Sequence, residues 1–254
     1  MNNRIKSLET FITKARIRKD SKIVVFTGAG MSAESGLNTF RDNGGLWEGH
    51  SIEEVASIDA WHDNPSKVLE FYNQRRRQLL KVAPNLGHLA IAKLQGYFPY
   101  ISVITQNVDD LHERAGQKRV LHLHGELKLI RSTGPSESVF SLTGSELIQG
   151  DLCPEGFQLR PHIVWFGEMV PAFEEAALMV EACDLLIVVG TSLAVYPAAN
   201  LLNYIRKGVE ILLIDPEEPS FNAKTSLYYY PLKAAQGLEQ LAEVLMSRGI
   251  NEFH

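Results

Sequence analysis

Only two cysteines, Cys153 and Cys183, occur in this chain of 254 residues. Two thiols cannot build a disulfide framework or a four-cysteine metal site, and a reduced, cytoplasmic setting is the simplest expectation. A basic excess is lacking as well. The net charge is −5, whereas a nucleic-acid surface normally carries a positive surplus, so no nucleic-acid partner is expected. Only the local cluster Arg75-Arg76-Arg77 runs the other way. Long apolar runs are missing too: the most apolar stretch, around Leu185 to Val189, is far too short to span a bilayer. The segment MNNRIKSLETFITKARIRKD is charged throughout and has no apolar centre, unlike a signal peptide, and no membrane partner is expected. Neither an internal repeat nor a low-complexity tract occurs. What remains is ordinary for a globular protein, 45% hydrophobic and 22% charged. The length suffices for one large domain or a main domain carrying a smaller insertion.

Four short apolar, β-branched runs end in small or polar residues. Lys22–Phe26 leads into Gly28-Ala29-Gly30, Ile101–Thr105 into Gln106-Asn107, Leu185–Val189 into Gly190-Thr191-Ser192, and Ile211–Ile214 into Asp215-Pro216. Near-continuous apolar strands predict a parallel sheet covered by helices on both faces. Ligands of such sheets collect at the carboxyl ends of the strands, so the four runs converge on one crevice. Residues 4–19 have helical apolar spacing (Ile5, Leu8, Phe11, Ile12, Ala15) and predict a helix. Residues 41–88 read as a loop with helices, and 126–160, with Gly134, Gly144, Gly150 and Gly156, as a small irregular β module.

The residues that carry chemistry sit at these strand ends. Gly28 and Gly30 allow a tight turn and close approach of backbone N–H groups to phosphate, though a turn with no ligand has the same glycines. Arg41 adds a cation suited to phosphate or to a surface ion pair. No acidic residue ends a strand about 20 residues on, where a hydride-transfer fold places its ribose contact; the acidic candidate is Asp215, far later. Gln106, Asn107 and Asp109 crowd three hydrogen-bonding side chains into four residues, fit for a ribose, a carboxamide and a water, or for an Asx turn. Strand alternation sends His122 and His124 to the same face, one of them as a structural residue. His124, if it faces a ribose hydroxyl, has a reference pKa suited to general-base work.

The pieces GAGMSAESGLNTFR (28–41), TQNVDDLHERAG (105–116), LHLHGE (121–126), PHIVWFGE (161–168) and GTSL (190–193) occur in the order found in the sirtuin family, which the chain resembles over roughly residues 20–246. The resemblance implies an NAD-dependent protein lysine deacylase with a Rossmann-like parallel sheet and a smaller inserted domain. The first would comprise residues 1–40, 89–125 and 161–254, the second 41–88 and 126–160. It assigns NAD to Gly28, Ala29, Gly30, Glu34, Arg41, Gln106, Asn107, Val108 and Asp109, with Asp109 on the carboxamide. Gly190, Thr191, Ser192, Asp215, Pro216, Glu217 and Ala234 fall on the adenosine side. His124 becomes the general base and Asn107 an organiser of the cleaved ribose. The implied chemistry has the acyl oxygen attack the ribose carbon that bears nicotinamide. His124 then deprotonates a ribose hydroxyl, and water releases free lysine and an acylated ADP-ribose. Val164, Trp165, Phe166, Gly167 and Glu168 would line an acylated peptide, which adds there as a strand, with Trp165 and Phe166 walling the lysine stem or serving as core aromatics of a strand.

Three departures from the family pattern stand out. The CxxC…CxxC set that holds a structural zinc is reduced to Cys153, so no zinc is expected, and the module must hold by packing of Leu129, Ile130, Val139, Phe140, Leu142 and Phe157. Asn38 replaces a proline, and Asp215 an asparagine. Tyr72 and Arg75, three apart on a predicted helix face, resemble the pair that binds the acyl carboxylate in desuccinylating and demalonylating sirtuins, with Ala56 widening the pocket. A solvated charge run is the competing explanation of Arg75–Arg77. NAD hydrolysis or ADP-ribose transfer to protein would share every motif. A non-catalytic nucleotide sensor would not need both His124 and Asn107.

Overall fold

The four apolar runs lie side by side in the computed structural model, which describes residues 3–4, 7–37, 50–193, 195–217 and 227–251. In chain order the elements begin with β1 (Asn3–Arg4), α1 (Leu8–Ala15), β2 (Ile23–Thr27), α2 (Ala29–Ala33), α3 (Ile52–Val55), α4 (Ile58–Asp63), α5 (Pro65–Leu79) and α6 (Leu86–Leu94). They continue with β3 (Ser102–Thr105), α7 (Leu111–Arg114), β4 (Val120–His122), β5 (Gly125–Ser132), β6 (Val139–Ser141) and β7 (Leu159–Ile163). Last come α8 (Phe173–Ala182), β8 (Leu185–Val189), a 3₁₀ segment (Ala198–Tyr204), β9 (Glu210–Ile214), β10 (Leu227–Tyr230) and α9 (Ala234–Asn251).

The large sheet runs β1-β10-β9-β8-β2-β3-β4 and every pairing in it is parallel. Alternation along the strands builds two cores. Ile23, Val25, Ile187 and Val189 meet Phe11 and Ile12 of α1, Ile91 of α6 and Leu241 of α9 on one face. Val24, Phe26, Leu186 and Val188 meet Ala176 and Val180 of α8 and Leu201 of the 3₁₀ segment on the other. Each such buried aliphatic side chain contributes about 1.5–3 kcal/mol. That two-sided burial is why the strands show no polar alternation.

The first helix is shorter than the expected 4–19. The Ser7 hydroxyl accepts from Thr10 N and caps the start, and Arg16 ends the helix in the left-handed region at φ 53°. Arg4 lies instead in β1, beside Tyr229 of β10. Two residues are too few to show any periodicity.

A third core joins α3, α4 and α5 to an antiparallel sheet ordered β6-β5-β7. Pro65 starts α5 and the Asn64 side chain caps it through Lys67 N. Of the module residues expected to pack, Ile130 is buried, and Phe140 and Leu142 lie partly buried against this core. Val139 and Phe157 are largely exposed. Leu127, Leu147, Cys153 and Leu159 fill the interior in their place, because β6 is an edge strand and turns Val139 outward. Among the described residues no helix is long and apolar enough to cross a membrane.

Candidate active site

The ends of β2 and β8 are pressed together. Gly28 N donates to Val189 O at 3.0 Å and Gly30 N to Gly190 O at 2.9 Å. A Cβ on Gly30 would stand 2.8 Å from Gly190 Cα, and one on Gly190, itself at φ +59°, would stand 2.5 Å from Met31 N. The two N–H groups expected to approach phosphate are therefore committed to loop-on-loop bonds, and the glycines serve this close packing first. Thr191 Oγ1 accepts from Gln106 Nε2 at 2.9 Å, which ties β3 to the same edge. Ser192 follows in the loop. At the end of β9, Asp215 is buried and accepts from Glu217 N at 2.9 Å, while Pro216 O accepts from Tyr229 Oη. Glu34 Oε2 accepts from Ala235 N at 2.8 Å, beside Ala234, and so fastens the α2 end to the start of α9. Arg41 and Asn38 lie outside the described residues.

Residues 105–109 form the centre of the site. Asn107 Nδ2 donates to Gly28 O and to Ser32 Oγ, both at 2.9 Å, and Ser32 Oγ donates to Asp109 Oδ2 at 2.8 Å. Burial raises the Asp109 carboxyl above its ordinary pKa, against the opposing pull of Ser32, Leu111 N–H and the charge on His122. His124 Nδ1 lies 3.0 Å from Gln106 O. A carbonyl only accepts, so Nδ1 carries the proton and Nε2 keeps its lone pair. Burial lowers the His124 pKa, and the Gln106 carbonyl offsets part of that. The imidazole is a neutral base at pH 7. Ser32 was hidden inside the GAGMSAES run and escaped sequence reading. So did His112, whose Nε2 lies 3.1 Å from Thr27 Oγ1 beneath the loop. Neither has a spacing signal of its own.

The helical module gathers the remaining candidates. Tyr72 is 1% and Arg75 6% exposed, and Arg76 is buried as well, so only Arg77 of the basic run is a surface charge, paired with Glu70 and Glu146. Arg75 Nη1 donates to Gln78 Oε1 at 3.2 Å, and Arg76 Nε to Leu127 O at 2.7 Å. Trp165 Nε1 donates to Tyr72 Oη at 2.9 Å. Of the two aromatics expected to wall a lysine stem, Phe166 is 50% exposed, whereas Trp165 is 2% exposed and held between Trp61 and the Arg160 guanidinium, 3.5 Å from its ring. Phe166 N donates to Ala56 O at 2.9 Å, Ile58 N to Phe166 O at 3.1 Å, and Val164 N to His124 O at 2.9 Å. Those N–H groups are thus already paired and are not the ones that hold an added peptide strand. Beyond Gly167, Glu168 accepts from both Arg160 Nη atoms, from Arg131 and from Trp165 N. Burial alone would raise its carboxyl, but these partners hold it below its usual range.

The turns that would bear zinc cysteines do not fit the metal. Cys153 Sγ lies 3.3 Å from Ser132 Oγ, which also accepts from Gly134 N at 3.0 Å. One sulfur and one hydroxyl leave a tetrahedral site incomplete. Among the described residues no group of three His, Cys, Asp or Glu side chains is placed to hold a metal ion.

A sequence profile described as the Sir2 family matches residues 28–197. An NAD-dependent protein deacylase of Helicobacter pylori is 49% identical over 91% of this chain and 98% of its own length. One of Bacteroides thetaiotaomicron is 47% identical over 88% and 97%. The crystal structure of a Sir2 homolog–NAD complex superposes with a TM-score of 0.85 at 36% identity, covering 98% of this chain and 97% of that one.

Proposed function

The chain belongs to the Sir2 family, and on that premise we propose how its cleft works as an NAD-dependent protein deacylase acting on lysine side chains, with acetyl and also succinyl and malonyl groups as substrates. The observation that carries the catalytic part is His124, neutral and with Nε2 left as a base by the Gln106 carbonyl. Bound NAD would supply an electrophilic ribose carbon and a ribose hydroxyl able to accept the acyl group. His124 removes the proton from the ribose hydroxyl, within the usual range of general-base effects, about 10²–10⁴-fold. A dinucleotide suits the donor set: the buried Asp109 carboxylate for an amide N–H, Asn107 and Gln106 for hydroxyls, and Asp215 for the adenosine ribose. The Gly28–Gly30, Val108 and Gly190–Ser192 backbones line the same edge.

Residues 1–40, 89–125 and 161–254 form the cofactor domain, and 41–88 with 126–160 the small inserted one. The shared core of Val55, Phe71, Leu127 and Leu147 supports this division. The setting is cytoplasmic, in keeping with two buried free thiols.

Specificity for acidic acyl groups rests on Tyr72 and Arg75. The tyrosine hydroxyl lies in the field of Arg75, Arg76 and Arg160, a cationic interior suited to a carboxylate, which a guanidinium takes in a forked pair. Ala56, buried in the same core as Tyr72, adds little bulk beside them. Arg75→Met combined with Tyr72→Phe is expected to depress succinyl-lysine turnover at least about tenfold relative to acetyl-lysine, since one charge-assisted bond is worth roughly 1.5–3 kcal/mol. Equal losses on the two peptides, or no loss on either, would remove this pair from acyl recognition.

A further inference from the structure

One histidine at the centre of the cleft has no part in that chemistry. Every carbonyl from Thr105 to Val108 is held: Thr105 O by Leu123 N at 2.9 Å, Gln106 O by His124 Nδ1 at 3.0 Å, Asn107 O by His122 Nδ1 at 3.0 Å, and Val108 O by Leu127 N at 2.8 Å. His122 differs from the other holders in being gripped from behind, its Nε2 lying 2.9 Å from Glu113 Oε1 of α7. Both neighbours of this ring, a carbonyl and a carboxylate, only accept. A neutral imidazole satisfies one of them and turns a lone pair on the other, whereas an imidazolium donates to both.

We propose that His122 acts as an imidazolium clamped by Glu113 and is a positioning residue, fixing the Asn107–Asp109 turn in the form that receives NAD. This rests on the assignment of Asn107 and Asp109 to the cofactor. Loss of the His122 proton breaks one of its two bonds and leaves the turn loosely held on that side. The charges around the ring favour the clamp. Burial, the largest single influence, disfavours the charged form, but Glu113 from α7, then the Asn107 carbonyl, then Glu126 from β5 favour it, and the net effect is a pKa above the ordinary histidine value. Asp109 faces the ring from the loop itself, where His122 in turn favours its carboxylate. His112, on α7, is kept neutral by burial first and then by His88 and His122, so it brings no opposing charge. Arg131 and His162 line a cavity of about 120 Å³ that His122 also lines. Arg131 is neutralised there by Glu168 at 2.9 Å, and burial holds His162 below its usual pKa.

The test combines imidazole ¹⁵N NMR with calorimetric NAD affinity between about pH 6 and pH 9, on the full chain and on Glu113→Gln. The amide keeps an acceptor but removes the charge. His122 is expected to show two N–H protons at pH 7, and NAD binding to weaken as pH rises through its pKa. In Glu113→Gln both the titration and the affinity limb should move down by about one pH unit. A merely structural pair would lower affinity equally at every pH. A neutral His122 at pH 7, or an affinity limb that ignores Glu113, would overturn the proposal alone. No NAD binding by the unsubstituted chain at any pH would overturn the cofactor assignment and this inference with it.

Discussion

His122 and His124 stand two residues apart, and each sets its Nδ1 3.0 Å from a carbonyl of the same loop, Asn107 O for the first and Gln106 O for the second. The shared contact has opposite consequences. His122 has a carboxylate on its other nitrogen and is pushed toward the charged form, while His124, buried without one, is pushed toward the neutral form.

Replacement of His124 by Tyr is expected to lower acyl-lysine turnover by about 10²–10⁴-fold or more. Thermal unfolding and circular dichroism of the variant should match the unsubstituted protein. A folded variant with unchanged turnover would remove His124 as the base.

Stability should fall on the acid side of neutrality. Burial lowers the His88 pKa to about 4 and holds that of His112 well below its ordinary value. Below about pH 6.5 the unfolded chain takes protons that the folded one refuses, so stability present above that pH is lost as pH falls through the window from about 6.5 to 4. His88 alone accounts for roughly 3 kcal/mol at about 1.4 kcal/mol per unit. Urea titrations at pH 7 and pH 5 measure the slope; a flat profile, or His88→Gln leaving it unchanged, contradicts the assignment.

Glu168→Ala is expected to destabilise by about 3 kcal/mol, because it leaves the buried Arg160 cation without its carboxylate. For a chain of this size that corresponds to roughly 6–12 °C in Tm. A change under about 2 °C would show that Arg160 is satisfied by Ile163 O and the Trp165 ring alone.

Turnover and melting temperature should be unaffected by exhaustive treatment with a chelator, because Ser132 and Cys153 close the turns by a hydrogen bond. Elemental analysis showing one tightly bound zinc per chain, or chelator-induced unfolding, contradicts this.

Much of this architecture was legible in residue order. Four β-branched runs announced the centre of the parallel sheet, and their polar ends announced the crevice, because burial on both faces leaves a strand no freedom to carry polar side chains. The edges were not legible: Asn3–Arg4 is too short for periodicity, and Leu227–Tyr230 mixes buried and half-buried positions. For the candidate site, the motifs pointed to Asn107, Asp109 and His124, which the fold gathers around the 105–109 loop. They did not reveal that the Gly28 and Gly30 N–H groups are already bonded, or that Trp165 turns inward onto Tyr72. Glycine and tryptophan at those positions fit either outcome, and only the facing carbonyls, the Tyr72 hydroxyl and the Arg160 cation decide between them. The same holds for Arg76, whose guanidinium bonds Leu127 O of the small sheet, contributed by chain some 50 residues later.

Acyl-lysine-dependent cleavage of NAD is measured by mass-spectrometric counting of its products. With NAD and an acyl-lysine peptide, nicotinamide, deacylated peptide and acylated ADP-ribose should appear in equal amounts, and nicotinamide release should stop when the peptide carries unmodified lysine. Nicotinamide released at the same rate without acylated peptide, or ADP-ribose appearing covalently on protein in place of acylated ADP-ribose, would contradict the account.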